Sequence, residues 1–134
     1  MSFRDFMEMC LYYPECGYYM SWQERFGTQG DYYTCPHLTP AFGAAIARQL
    51  EQMWDMSGRD MFTIVEYGAG TGALCQDVLN YLRHNAVFYE RLQYCIIEKS
   101  PVMRKREQQY LGEKIRWIDN MEEIGPVTGC VLSN

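Results

Sequence analysis

Three glycines at alternate positions constrain this chain more than any other feature. They are Gly68, Gly70 and Gly72, in the run Val65-Glu66-Tyr67-Gly68-Ala69-Gly70-Thr71-Gly72. Glycine enters left-handed backbone conformations without a steric penalty and is disfavoured inside helices and strands. The apolar run Phe62 to Tyr67, read as a strand, therefore ends at Gly68. The stretch that follows, Thr71 to His84, carries Leu74, Val78, Leu79 and Leu82 at helical spacing. The pattern is a strand, a tight glycine turn and a helix. Such a turn lets the backbone approach a ligand held at the helix N-terminus.

The alternation continues downstream. Tyr94 to Glu98 reads as a second strand, and Pro101 to Leu111 as an Arg- and Lys-rich helix with Gly112 past its end. Ile115 to Ile118 reads as a third strand, Met121 to Ile124 as a short helical turn, and Val127 to Leu132 as a fourth apolar run. Strands alternating with helices predict βαβ units, hence an α/β fold with a parallel sheet and helices on both faces. The first third of the chain is different. Ser2-x-x-Asp5 is a variant of the capping box before a helix carrying Phe3, Phe6, Met7, Cys10 and Leu11, which Pro14 and Gly17 end. Residues 14–36, rich in Gly and Tyr, read as a long loop, a length that is uncommon unless the loop is functional or flexible. Thr39-Pro40 is an N-cap with proline at the first helical position. The helix it opens bears an apolar stripe of Phe42, Ile46, Leu50, Met53 and Trp54, with Gly58 as its stop. The expected division is 1–58 as an N-terminal helical and loop segment and 59–134 as the first part of the ligand-binding sheet domain. The chain stops just after the fourth run, so the sheet is expected to be truncated there. Its last strand is expected to form an edge or to pair with a second copy in a homodimer.

Charge removes several function classes. Twelve Lys and Arg against seventeen Asp and Glu give a net charge of −5 in 134 residues. That balance disfavours a protein whose main task is to hold a phosphate backbone, so no nucleic-acid partner is expected. The hydrophobic share of 48% and charged share of 22% are those of a globular domain rather than a disordered tail. No apolar run is long enough to cross a bilayer, so no membrane insertion is expected. The start lacks signal- and transit-peptide patterns. None of the six cysteines forms a C-x-x-C pair, and the expectation is reduced thiols in a cytoplasmic setting. No metal site is expected: His37 and His84 have no ligand partners at metal spacing and are assigned non-catalytic roles. Arg104-Lys105-Arg106 reads as a solvated helix face, and Tyr12-Tyr13-Pro14 with Gly17-Tyr18-Tyr19 as packing.

The acids around the glycine loop decide among ligands. Gly68, Gly70 and Ala73 fit the dinucleotide pattern G-x-G-x-x-G/A, which keeps an NAD-dependent oxidoreductase open. Glu66, however, stands two residues before the first glycine and would repel a pyrophosphate. S-adenosylmethionine carries a sulfonium and an ammonium, so Glu66 suits it better. Glu98 ends the second strand, where an acid can accept hydrogen bonds from ribose hydroxyls. Asp119 follows the third strand and could meet an adenine amino group, or cap the turn at Met121. In Gly30-Asp31-Tyr32-Tyr33-Thr34, Asp31 could add a carboxylate near the cofactor, with the tyrosines as pocket wall. The bland alternative there is a turn with two aromatics docked on the core.

These segments together resemble one family. Phe3-x-x-Phe6-Met7 with Leu11-Tyr12-Tyr13-Pro14 and Gly17-Tyr18-Tyr19 resembles its opening motif, and Gly30 to Thr34 with Pro36 and Phe42-Gly43 its second. Val65 to Gly72 resembles its cofactor loop, and Ile97-Glu98-Lys99-Ser100-Pro101 its ribose-binding strand end. Trp117 and Leu132-Ser133-Asn134 also fit. The family is the MidA-like class I S-adenosylmethionine-dependent methyltransferases, which includes a mitochondrial arginine methyltransferase that assists assembly of respiratory complex I. The resemblance implies a Rossmann-like sheet, S-adenosylmethionine as cofactor, and a protein arginine side chain as acceptor. The implied cofactor residues are Glu66, Gly68, Ala69, Gly70, Gly72, Glu98, Asp119, Asp31 and Thr34, with Asn134 on the substrate side. No catalytic residue is assigned. The family chain continues past Asn134, so this chain is expected to be an N-terminal part, and a cofactor-binding or self-associating fragment without turnover is the alternative. The implied location is cytoplasmic for a bacterial member and the mitochondrial matrix for a eukaryotic one.

Overall fold

The computed structural model describes residues 1–23, 25–27 and 30–133. Four parallel strands form one sheet: β1 (Phe62–Tyr67), β2 (Leu92–Ile97), β3 (Ile115–Ile118) and β4 (Gly129–Ser133), in the order β3-β2-β1-β4. β1 is central. It pairs with β2 from Phe62↔Leu92 to Tyr67↔Ile97 and with β4 from Thr63↔Gly129 to Tyr67↔Ser133. Two ladders and two covered faces explain why Phe62 through Glu66 are all buried. β2 and β3 step outward on one side of β1, and the chain then crosses to the other side for β4. This reversal of direction is the place where open α/β sheets hold ligands, outside the carboxyl ends of the strands.

Helices α1 (Phe3–Tyr12), α2 (Cys35–Leu38) and α3 (Pro40–Met56) precede the sheet, while α4 (Ala73–Leu82), α5 (Ala86–Arg91) and α6 (Pro101–Tyr110) lie within it. The capping box at Ser2 and Asp5 is formed in both directions, and Thr39 Oγ1 accepts from the Ala41 amide at the head of α3. The segment 14–36 is more ordered than a loop: it holds a 3-10 turn at Tyr18–Met20, a bridge between Phe26 and Tyr32, and the start of α2. Helix α5 is absent from the sequence reading, because its six residues are too short to show a period. Helix α4 begins two residues later than expected, since Gly72 stands at its N-cap in the left-handed region.

The main core joins α3, α4 and α5 to one face of the sheet. Leu50, Trp54, Leu74, Val78, Leu82 and Phe88 meet Phe62, Ile64, Tyr94 and Ile96. Phe88 stacks on Trp54 at 4.6 Å between ring centroids and meets Phe62 edge-on at 5.7 Å. Such pairs add about 0.5–1.5 kcal/mol beyond their buried area. α6 lies on this side too: its Glu107 accepts from Trp117 of β3, and Leu111 just past its end packs with Trp117 against the same cluster. Consecutive right-handed crossovers running one way along a sheet place their helices on one side. The opposite face carries Val65, Cys95 and Ile118, joined by Ile97 of β2 and covered by Met121 and Ile124 from the turn after β3. β4 is the expected edge strand, with alternating exposure along its length. Among the described residues all six cysteines are unpaired, with Cys75 and Cys95 buried.

The N-terminal segment is fastened to the sheet domain by cations that the sequence reading left to solvent. Arg106 donates to the Trp22 carbonyl and sits over the Trp22 ring, and Lys105 lies over the same ring. Ser100 Oγ donates to the Tyr19 carbonyl at 2.5 Å, and Lys99 pairs with Glu8. Guanidinium and indole find each other because stacking on an aromatic face costs an arginine little hydration.

Helix α3 packs on α4 at Gly43, where a Cβ would stand 2.3 Å from Cβ of Asp77. Glycine is required there by proximity, not by backbone angle. Gly43→Ala is expected to lower stability by about 1–3 kcal/mol, read as a lower urea midpoint with an unchanged slope.

Candidate functional site

A cavity of about 840 Å³ opens at the carboxyl ends of β1, β2 and β3. Its floor is the loop from Glu66 to Leu74, one side is Ile97 to Lys99, and Asp119 and Arg104 stand at the third strand. Tyr12, Tyr19, Phe26, Tyr32 and His37 from the N-terminal segment form the opposite wall.

The floor works because of backbone angles that other residues resist. Gly68 and Gly70 have φ of +65° and +62°, and an added Cβ at Gly68 would meet nothing, so the space above it is free for a ligand. A residue with a side chain costs roughly 1–2 kcal/mol in this conformation. The Gly68 amide donates to the Ile97 carbonyl at 2.9 Å, which ties the turn to the end of β2. Ala69 lines the cavity beside them. Gly72 differs. Its φ is +76°, it lies outside the cavity lining, and a Cβ there would strike the Leu111 side chain at 2.7 Å. Its left-handed backbone and the Leu111 side chain lying against it both call for glycine there.

Glu66 is buried on the helix-covered face of β1. Its Oε2 accepts from the Tyr94 hydroxyl at 2.7 Å. Burial pushes its pKa up to about 7, and the Tyr94 hydrogen bond opposes that rise. A carboxyl so poised is shared between its neutral and charged forms near neutrality. A cation placed beside it would draw it to the charged form. Glu98, at the end of β2, accepts from the Ser100 amide at 2.7 Å through Oε1. Burial raises its pKa, while the hydrogen bonds it receives lower it. Asp119 is exposed, lines the cavity and accepts from Arg104 at 2.6 Å. It does not cap the following turn, where the cap position belongs to Asn120. Arg104 is therefore part of the site rather than of a solvated face.

The aromatic wall corrects one expectation. Tyr12 and Tyr19, read from sequence as packing, face the cavity, and the Tyr19 and Tyr32 hydroxyls lie 3.1 Å apart. Burial raises the Tyr32 hydroxyl above its ordinary range, so it remains a neutral O–H. His37, read from sequence as non-catalytic, is a latch. The Thr34 amide donates to its Nδ1 at 3.3 Å, which leaves Nε2–H to donate to Thr71 Oγ1 at 2.9 Å. Its ring stacks parallel to Phe26 at 6.0 Å. Thr34 thus reaches the cavity wall together with His37 and joins the N-terminal segment to the glycine loop. No local pattern announces this pairing, because its partners lie 34 residues apart.

Asp31 does not reach the cavity. Its carboxylate is exposed, accepts from the Tyr18 hydroxyl at 2.6 Å and pairs with Arg25 at 3.3 Å. The Tyr18 hydrogen bond, with Arg25 beside it, holds its pKa below the usual value. Its work is to shape the loop that carries Tyr32. Asn134 lies outside the described residues. Among the described residues no cluster of His, Cys, Asp or Glu could hold a metal.

The raised Glu66 carboxyl has a sign that can be checked. The folded protein retains this proton between pH 4.5, the ordinary value, and about 7, whereas the unfolded chain releases it. Stability is therefore expected to fall as pH rises across that window. Urea midpoints should show the fall, and Glu66→Gln should flatten it.

Comparison with known proteins follows the same residues. A family model described as "Putative S-adenosyl-L-methionine-dependent methyltransferase" matches residues 45–134. Over 109 residues the chain is 33% identical to the mitochondrial protein arginine methyltransferase NDUFAF7 homolog of Drosophila melanogaster, which covers 78% of this chain and 24% of that protein. It is 27% identical to the Danio rerio protein arginine methyltransferase NDUFAF7 over 90% of this chain and 29% of the relative. A Burkholderia thailandensis protein solved with S-adenosyl-homocysteine bound superposes on the whole chain with a TM-score of 0.83 at 33% identity, over 36% of its own length. The chain thus spans about a quarter of the length of these curated relatives. With the family model covering most of the chain, and the glycine loop, the strand-end acids and the sheet order all in agreement, the chain belongs to the MidA-like family of S-adenosyl-L-methionine-dependent methyltransferases.

Proposed function

We propose that this chain supplies the S-adenosylmethionine pocket of a protein that methylates an arginine side chain of another protein. The observation that carries the reading is the pairing of an open left-handed glycine turn at Gly68 with two strand-end acids, Glu66 and Glu98, around one cavity. The donor set fits the cofactor. Backbone at Gly68, Ala69 and Gly70 can lie against its methionine portion without side-chain interference. Glu66 is placed to balance positive charge and Glu98 to accept from ribose hydroxyls. Asp119 and Arg104 stand where an adenine edge can find an acceptor and a donor. When bound, the cofactor would supply a sulfonium methyl, an electrophilic carbon with a neutral thioether as its leaving group.

This chain's own residues then act mainly by position and field. The aromatic wall of Tyr12, Tyr19, Phe26 and Tyr32 excludes water and strengthens every charge interaction within the cavity. The His37 to Thr71 latch keeps that wall against the glycine loop. Positioning of this kind is worth several orders of magnitude in rate where two reactants must meet in line. The arginine acceptor extends to this chain from the relatives named as protein arginine methyltransferases, and a role in respiratory complex I assembly is what the family resemblance implies. Their names carry the word mitochondrial, and our reading places a eukaryotic member in the matrix and a bacterial one in the cytoplasm. No helix among the described residues is long and apolar enough to cross a membrane. The outer edge of β4 is where a second copy would pair. Light scattering at high concentration tests this, and a strictly monomeric mass would count against it.

The direct test of the pocket is calorimetric titration with S-adenosylhomocysteine, with NAD as control ligand. Binding that NAD does not share is expected, and Glu98→Ala should weaken it by at least about tenfold. Binding near neutrality should release protons as Glu66 shifts to its charged form, seen as a buffer-dependent heat that Glu66→Gln abolishes. Equal affinity of Glu98→Ala and the unaltered chain would sink the ribose assignment.

A further inference from the structure

Glu107 is a fully buried acid that the site described above does not use. It lies on α6 behind the strand ends. Its Oε2 accepts from Trp117 Nε1 at 2.8 Å. Its Oε1 is sealed from solvent and, if the carboxyl is ionised, has no partner. A buried acceptor left alone costs about 1–3 kcal/mol, and more when charged. The acid placed to interact with it is Glu98, whose carboxyl acts on its titration.

Two carboxylates cannot bond to each other unless one carries a proton. Glu98 faces the cavity and already accepts from the Ser100 amide, an arrangement suited to the charged form. Glu107 is sealed, and the indole satisfies only one of its oxygens. The proton therefore belongs on Glu107 Oε1, where it gives the orphaned atom its partner. We propose that Glu107 is a protonated carboxylic acid that donates its O–H to Glu98, a positioning residue that fixes the carboxylate assigned to the ribose. The proposal rests on that assignment of Glu98.

The surroundings agree. Glu98 at the end of β2 and Glu66 on β1 are the charged groups that act on Glu107, and both are acids. From α4 the Cys75 thiol is within its electrostatic reach, and from β3 the neutral indole of Trp117 bonds to it. One turn back on α6, Arg104 is engaged by Asp119. Burial, with the help of these acids, pushes the Glu107 pKa up to about 8. The donor is thus present at neutral pH and is lost as pH rises through that value, leaving two carboxylates in contact.

Two measurements decide the matter. The first is a carbon-13 carboxyl titration of the ligand-free chain by NMR, with Glu107→Gln and Glu66→Gln to assign the two high-titrating resonances. A resonance that titrates near 8 and vanishes in Glu107→Gln is expected; a Glu107 carboxyl that titrates with the exposed glutamates would overturn the proposal. The second is S-adenosylhomocysteine affinity on either side of that titration. Glu107→Gln keeps a donor and should bind like the unaltered chain at low pH and hold that affinity at high pH. The unaltered chain should lose about tenfold relative to it as the donor disappears. Glu107→Met, which fills the same space without a donor, should be weak at both. Equal weakness of the Gln and Met variants, or one shared pH profile for the unaltered chain and Glu107→Gln, would reduce Glu107 to packing. If none of the proteins binds S-adenosylhomocysteine, the assignment of Glu98 fails and takes the positioning role with it, while the carboxyl titration separately reports where the proton lies.

Discussion

The structure depends on how the central strand ends. β1 is paired on both sides and covered on both faces, so its chain can leave the sheet only at the carboxyl end. It leaves through Gly68, Gly70 and Gly72, all left-handed. That turn reverses the chain within a few residues and sets α4 back against β1, where Leu74, Cys75 and Val78 join the main core. The packing of the sheet and the open floor of the cavity are thus two consequences of one backbone requirement. The same turn brings the Gly68 amide to the Ile97 carbonyl at the end of β2, which ties the floor to the strand end that bears Glu98.

Around that turn the protein accumulates acids in a place that disfavours charge. Glu66, Glu98 and Glu107 stand on β1, at the end of β2 and on α6, and all three have raised pKa values because burial penalises the carboxylate. Each is held by a neutral donor: the Tyr94 hydroxyl, the Ser100 amide and the Trp117 indole. Neutral donors stabilise an acid's negative charge without cancelling it. Whatever charge Glu66 and Glu98 carry therefore remains available to a cationic ligand, whereas salt bridges to lysine or arginine would have consumed it. The cations nearby are used elsewhere, Arg104 on Asp119 and Arg106 on Trp22.

The wall opposite the acids comes from a segment with little core of its own. α1 contributes no buried residue, and the following turns are held by specific tethers: Ser100 to the Tyr19 carbonyl, Arg106 to Trp22, and His37 to Thr71. Polar tethers specify position where apolar burial is too sparse to do so. Asp31 belongs to this system, since its bonds to Tyr18 and Arg25 shape the loop bearing Tyr32 rather than contact the cavity.

The sequence by itself determined what depends on neighbours along the chain. The bounds of β1 and β3, the caps at Ser2 and Thr39, and the stop near Gly58 follow from apolar runs, capping side chains and glycine. The strand-end acids Glu66 and Glu98 were legible for the same reason, being fixed by distance from the glycine loop. What only the tertiary structure decided involves partners distant in sequence. Such decisions include the strand order, the role of Gly72 as a packing glycine under Leu111, and the entry of Tyr12, Tyr19 and His37 into the cavity wall. Glu107 is the sharpest case. On the helix it looks like one more charge in a polar run. Its burial, its bond to Trp117 ten residues on and its contact with Glu98 arise only when α6 folds against β2 and β3. Local pattern reports the conformation a residue prefers, but the dielectric around a carboxyl and the donor it faces are properties of the folded interior.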